Sequence, residues 1–132
     1  MASGVVRTSV SLPRDLVREL DKFVGSIESD RSKVIQQAIR NFLSTPRGEE
    51  ETVAGLLMLV YNHEEHDLEE EITDIQHDFI DLIISDLHIH LDKKRCMLTI
   101  FVKGGLKNVQ NFMKKLAGRR GVLMIKESLI KI

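Results

Sequence analysis

The sequence predicts an α+β chain in two parts, an N-terminal strand–helix–helix unit and a βαββαβ unit of ferredoxin-like order. Three observations carry this. Arg7-Thr-Ser-Val-Ser-Leu12 alternates in polarity and precedes two segments of helical apolar spacing. Ser44-Thr-Pro-Arg-Gly-Glu-Glu-Glu51 then concentrates proline, glycine and like charges, as a linker does. Beyond it, strand-like runs are interleaved with two further helical periodicities. The expected division is residues 1–45, a linker at 46–51, and residues 52–132.

In the first part, Arg7, Ser9 and Ser11 share one face of the expected strand, and Thr8, Val10 and Leu12 share the other. Pro13 suits the first turn of a helix, along which Leu16, Leu20, Phe23, Val24 and Ile27 recur at helical spacing. Ser29 or Asp30 can cap a second helix, whose apolar face is Val34, Ile35, Ala38, Ile39, Phe42 and Leu43. Pro46 biases Thr45 away from helix and ends it. About 45 residues with one lone strand can neither satisfy that strand's backbone nor bury both helical stripes. The economical solution is an intertwined homodimer. Two strands pair as an antiparallel ribbon over a shared core of four helices, and Arg7, Ser9 and Ser11 of both copies point outward.

In the second part, Thr52–Tyr61 is a continuous apolar run, expected to be a strand covered on both faces. Asp67-Leu-Glu-Glu70 has the form of a capping box, and the helix it starts carries Leu68, Ile72, Ile75, Phe79 and Leu82 on one stripe. Leu87, Ile89 and Leu91 alternate with His88, His90 and Asp92 on a strand, and Cys96–Lys103 forms the next. Val109, Phe112, Met113, Leu116 and Ala117 mark a helix after Gly104-Gly105, and Val122–Ile130 closes the order.

Composition narrows the function. Of 132 residues, 42% are apolar and 30% charged, a soluble globular balance. The longest apolar run, Val53 to Tyr61, falls well short of the roughly 20 residues a membrane span needs. No secretory signal pattern opens the chain, and a lone cysteine, Cys96, excludes an intramolecular disulfide, so a cytoplasmic location is expected. The net charge is −1, but residues 52–92 carry eleven acids and no Lys or Arg, while residues 93–132 carry eleven bases and one acid. Any DNA contact must therefore come from a small local patch.

The outward ribbon face is suited to be that patch. A two-stranded ribbon fits the major groove, arginine can bond guanine O6 and N7 together, and serine is small and adaptable, so Arg7, Ser9 and Ser11 are the expected base readers. Near the start of the second helix, free amides with Arg31 and Ser32 are the expected phosphate contacts.

The second constellation is His88-x-His90-x5-Cys96. Residues two apart on a strand share a face, so both imidazoles can reach one metal ion. Cys96 joins them if Leu91 pairs Arg95 around a three-residue turn; with Lys93-Lys94 alone as the turn it points the other way. Lys-Lys is poor chemistry for a tight two-residue turn, which favours the first register. Cys96, Leu98, Ile100 and Val102 would continue the histidine face. The opposite face, through Leu87, Ile89 and Leu91, is expected to take the domain's own helices, which leaves the histidine face to a neighbouring subunit. His77, on the polar side of its helix, is the best fourth ligand and would come from that neighbour. His63 and His66 read as surface histidines with at most weak secondary metal binding. Imidazole plus thiolate suits nickel, copper, zinc or cobalt alike.

Over essentially the whole chain, these residues resemble the nickel-responsive transcriptional regulator family (NikR). The matching segments include Arg7-Thr-Ser-Val-Ser-Leu12, Arg31-Ser32, Gln76-His77, Leu87-His-Ile-His90, Cys96, Val102-Lys-Gly104 and Arg120-Gly-Val122. The resemblance implies a ribbon-helix-helix domain joined to an ACT-like regulatory domain. It also implies a homotetramer, a dimer of dimers, holding one Ni(2+) per subunit between His88, His90 and Cys96 of one chain and His77 of another. It implies a repressor that binds double-stranded operator DNA, and no enzyme is expected, since the sequence shows no nucleophile–base set and no phosphate loop. The sequence departs from the family pattern at Leu98, where relatives carry an acid near the ligands, and at Lys33 and Gln37, where relatives can carry acids at the domain junction. Two rival readings are a repressor sensing a small molecule such as an amino acid at the Gly104-Gly105 turn, and a metal-storage protein or metallochaperone without DNA binding.

Overall fold

Two helices, α1 (Arg14–Ser26) and α2 (Arg31–Ser44), make up the first of two units, Met1–Leu43 and Ser44–Ile132, in a computed structural model that describes residues 4–48 and 50–132. Residues 1–3 of the expected first part and Glu49 of the expected linker lie outside the described residues. Asp30 caps α2 by accepting the Lys33 amide at 2.9 Å, which selects between the two expected caps. Neither helix contains a buried residue. Leu12, Leu16, Leu20, Ile39 and Phe42 are among the side chains lining an open apolar groove of about 440 Å³. Residues 5–13 form no strand, and Val10 is 73% exposed. The strand expected at 7–12 is therefore not a property of one chain, since a ladder requires a second strand to exchange hydrogen bonds.

The second unit follows the expected order: β1 (Thr52–Asn62), α3 (Leu68–Asp78), a 3-10 turn (Ile80–Leu82), β2 (Ile83–His90), β3 (Arg95–Gly105), α4 (Leu106–Ala117) and β4 (Val122–Lys131). The sheet runs β2-β3-β1-β4 with every neighbouring pair antiparallel. Gly55 in central β1 passes β4 so closely that a Cβ would overlap the Ser128 carbonyl oxygen, so only glycine permits that pairing. Asp67 does not form the expected capping box. It adopts a left-handed conformation (φ 61°) with no side-chain bond to the helix, and its carboxylate instead lies 3.0 Å from His66 Nε2.

The covering of the sheet is the reverse of the expectation. Leu57, Leu59 and Tyr61 of β1, with Cys96, Leu98, Ile100 and Val102 of β3, are buried against Leu68, Ile72 and Ile75 of α3 and Val109, Phe112 and Leu116 of α4. The face that continues from the histidines is thus the one the domain's own helices cover. Leu87, Ile89 and Leu91, expected beneath those helices, are 60%, 43% and 41% exposed. Apolar side chains lie on both faces, Leu87 and Ile89 on one and Cys96, Leu98, Ile100 and Val102 on the other, so alternation separates the faces without saying which one the crossover helices take. β1 is accordingly covered by the helices on one face only; on the other, Leu56 and Met58 are half-buried and Val60 is buried.

Candidate metal centre and nucleic-acid interface

The β2–β3 hairpin is closed by Asp92. One carboxylate oxygen accepts the amides of Lys94 (2.9 Å) and Arg95 (2.7 Å), and the other accepts Arg95 Nε at 2.8 Å. These bonds pull the Asp92 carboxyl down to about 2, the Arg95 side-chain bond contributing most. The Leu91 amide donates to the Arg95 carbonyl at 2.9 Å, so Asp92, Lys93 and Lys94 form the three-residue turn. A bulge between Ile83 and Ser85 shifts the register of β2, after which Asp86, His88 and His90 lie opposite Ile100, Leu98 and Cys96. Directly opposite residues share a face. His88, His90 and Cys96 therefore share one, with Cys96 Sγ 3.2 Å from His90 Nδ1 and the two imidazole centroids 5.2 Å apart. Cys96 is buried beneath the sheet's helices, whereas both histidines stand exposed on edge strand β2.

His63, expected to be a surface histidine with at most weak secondary metal binding, and Glu69, which sequence reasoning did not single out, complete this corner. Asn62 pairs Arg95 at the end of β1, and the His63 amide donates to the Lys94 carbonyl at 2.6 Å, which carries His63 to the hairpin. Its ring meets that of His90 edge-on at 5.5 Å, and donor atoms of His63, His90 and Cys96 lie within 4.8 Å of one another. Glu69, in the first turn of α3, forms a second such group with His88 and Cys96. Glu69 Oε1 accepts the Tyr61 hydroxyl at 3.1 Å and lies 3.0 Å from His63 Nδ1, and the Tyr61 hydroxyl is also 3.2 Å from His88 Nε2. Burial, together with the neighbouring Glu69 charge, raises the Cys96 thiol above its ordinary range, and a hydrogen bond from Tyr61 opposes this. Burial and Glu69 likewise push the Tyr61 phenol up, so it stays protonated as a donor. Tyr61, His63 and Glu69 lie close together in the chain but far from the β2–β3 hairpin, so no local pattern joins them to it.

His77 joins neither donor group. It lies exposed in the last turn of α3, beside Thr73, Gln76, Ile80 and Asp86 at a cleft of about 330 Å³. Its own chain thus leaves it outside the Cys96 corner and open to a neighbour. Gly104 lies under the Leu82 side chain, where a Cβ would overlap, so close packing accounts for a glycine at the turn the small-molecule reading invoked.

Arg7, Ser9 and Ser11 are exposed in the segment without regular structure. Arg31 is exposed but engaged, its Nε and Nη2 each 2.6 Å from a carboxylate oxygen of Asp21. That pairing holds the Asp21 carboxyl below its usual range. Ser32 Oγ accepts Gln36 Nε2 at 3.1 Å. Both expected phosphate contacts therefore have partners in their own chain.

Comparison with known proteins agrees with this two-part organisation. Residues 6–45 match the family model "Ribbon-helix-helix protein, copG family", and residues 54–130 match "NikR C terminal nickel binding domain". The chain is 42% identical to a nickel-responsive regulator of Saccharolobus solfataricus over 89% of this chain and 87% of that one. It is 38% identical to one of Pyrococcus abyssi over 89% and 88%. A third, from Methanocaldococcus jannaschii, is 36% identical over 94% and 91%. Among solved structures, the ACT domain of a GTP pyrophosphokinase from Chlorobium tepidum superposes with a TM-score of 0.51 at 16% identity. That match spans 59% of this chain and 99% of that one, a likeness of fold.

Proposed function

The chain belongs to the nickel-responsive regulator family, a non-enzyme family in which a ribbon-helix-helix domain precedes a NikR nickel-binding domain, and from that premise we propose that it is a nickel-dependent repressor. Two copies build the ribbon that enters the major groove, where Arg7, Ser9 and Ser11 read base edges. Arg31 and Ser32 contact phosphates, Arg31 by exchanging Asp21 for the DNA backbone. His88, His90 and Cys96 of one chain, with His77 of a neighbour, hold one Ni(2+) per subunit in a homotetramer.

The observation that carries this reading is the shared face of His88, His90 and Cys96, with Sγ and an imidazole nitrogen already 3.2 Å apart. Two imidazoles and a thiolate are donors that nickel accepts, although copper, zinc and cobalt accept them too. When bound, the ion supplies a tie between chains. The rest falls to the protein's own residues: Asp92 sets the hairpin, burial shields Cys96, and His77, outside the Cys96 corner, is the ligand taken from a neighbour. Repression follows if the tied tetramer presents its two ribbons in the spacing an operator requires. No helix among the described residues is long and apolar enough to cross a membrane.

The test is a nickel titration of the full chain followed by electronic absorption, alongside anisotropy of labelled operator DNA. A thiolate-to-nickel band that saturates at one ion per chain, together with tighter operator binding, is expected. Operator binding that ignores nickel would overturn the proposal.

A further inference from the structure

The segment expected to be a linker is bonded into the second unit as a turn. α2 runs to Ser44, which already belongs to that unit, so only Thr45 and Pro46 separate the helix from Arg47. We propose that Glu51 is a positioning residue that latches residues 47–51 to the nickel-binding domain, so that the state of the metal-tied core reaches the ribbon unit without a slack tether. The inference rests on the repressor reading above for what is transmitted, and on the turn itself for how it is held.

Glu51 is engaged through its amide, its carbonyl and its carboxylate. The Arg47 amide donates to Glu51 Oε2 at 2.8 Å, and the Glu51 amide donates to the Gly48 carbonyl at 3.0 Å. The Glu51 carbonyl accepts the Leu106 amide at 2.9 Å, which gives the first residue of α4 a partner that the helix cannot supply from within. One residue thus closes the turn with its side chain and fastens it to the domain with its main chain. The bond from the Arg47 amide, aided by Gly48 and the Lys131 charge and opposed by desolvation, holds the Glu51 carboxyl below its ordinary range. Just before the turn, half-buried Pro46 lines a cavity of about 260 Å³ with Leu106 and Gln110 of α4 and Leu129 of β4. Its ring fixes φ, which removes further freedom.

Slack is what these bonds remove. A free tether spanning 46–51 would wander by roughly 12–15 Å. That is a large fraction of the about 34 Å between successive half-sites that paired ribbons must match. A tie within the core that never reaches the ribbons does not distinguish DNA-binding states, and nickel then adds nothing to operator affinity. The plain alternative is an ordinary surface turn in which Glu51 contributes only stability. The two differ in effect. Lost stability weakens operator binding with and without nickel alike, whereas a lost latch removes only the gain that nickel brings. The required feature is the acceptor and not the charge, because the donor is a neutral backbone amide, and glutamine keeps an acceptor there.

The experiment compares the full-length chain with Glu51→Ala and Glu51→Gln, each checked for folding by circular dichroism. Native trypsin cleavage after Arg47, followed by mass spectrometry, reads the turn directly, and operator anisotropy with and without nickel reads the coupling. Glu51→Ala is expected to be cut there about tenfold faster, as local opening becomes easier. It should also lose about fivefold or more of the nickel-induced gain in operator affinity, with its nickel–thiolate band and metal-free binding unchanged. Glu51→Gln is expected to stay within about twofold of wild type in both readouts, since its side-chain carbonyl still accepts the Arg47 amide. Cleavage of Glu51→Ala at the wild-type rate, an undiminished nickel gain, or a Glu51→Gln variant that behaves like Glu51→Ala each sinks the proposal. Wild-type operator binding that ignores nickel is a different result. It removes the repressor reading and the transmission with it, while cleavage after Arg47 still decides whether Glu51 holds the turn.

Discussion

Cys96 and His90 face each other across the β2–β3 hairpin, Sγ 3.2 Å from Nδ1, because a three-residue turn braced by Asp92 sets their strands in register. Replacing Cys96 with alanine removes the thiolate but only a small part of the core. Cys96→Ala should abolish the nickel response in DNA binding while costing about 1 kcal/mol of stability, as loss of one small buried group does. Anisotropy with and without nickel, together with thermal unfolding, measures both. A variant that still responds to nickel removes Cys96 from the ligand set.

His77 stands apart from the other donors of its own chain, which makes its role separable by complementation. His77→Ala and Cys96→Ala should each lack the nickel–thiolate band alone. Co-refolded mixtures should regain part of it, because one chain then lends His77 to the other's intact hairpin. Absorption spectra of the separate and mixed samples decide this, and no recovery on mixing argues against a ligand contributed in trans.

Arg7 is solvent-exposed in a single chain and has its proposed role only in the paired ribbon. Arg7→Ala should cost about 1–3 kcal/mol of discrimination between the operator and unrelated duplex, with non-specific binding nearly unchanged. Competition binding measures the ratio, and equal loss on both sequences would exclude base reading by Arg7.

Asp21 holds Arg31 in the single chain, so in the proposed DNA complex it competes with phosphate for that guanidinium. Asp21→Asn is expected to tighten binding to any duplex and to steepen the salt dependence by about one counterion, an effect that Arg31→Ala in the same background cancels. The pair also has a pH signature. Arg31 depresses the Asp21 pKa in the folded chain, so its stabilisation is present above the ordinary carboxylate range and is lost as acidification protonates Asp21. Acid titration of wild type and Asp21→Asn, followed by circular dichroism, should show the difference only on the acid side.

Ile89 lies on the open face of the sheet at 43% exposure, with Leu87 at 60% beside it. An apolar face of this kind is covered in a stable assembly. Ile89→Asp should therefore break the proposed tetramer into smaller species at unchanged secondary structure, as read by light scattering. The reverse assignment, with the histidine face as the apolar interface, predicts no change.

Much of the site was legible because it depends on short-range chemistry. The alternation of His88 and His90, the spacing to Cys96 and the unsuitability of Lys93-Lys94 for a two-residue turn together select the register observed. The missing ladder at 7–12 follows the same logic, since one strand in 45 residues has nothing to pair with. Asp67 shows the limit of local rules: a capping motif in the sequence gave way to a left-handed residue bonded to His66.

The sequence by itself determined the order of elements, the hairpin register and the donor types at its rim, since each follows from periodicity or turn chemistry within about ten residues. Only the tertiary structure decided that the helices cover the Cys96 face, that His63 and Glu69 reach that corner, and that Asp21 takes Arg31. Those outcomes depend on where the crossovers after β1 and β3 lay their helices and on where the helical hairpin folds back. Such geometry joins residues distant in the chain, and no alternation of side chains along a single strand encodes it.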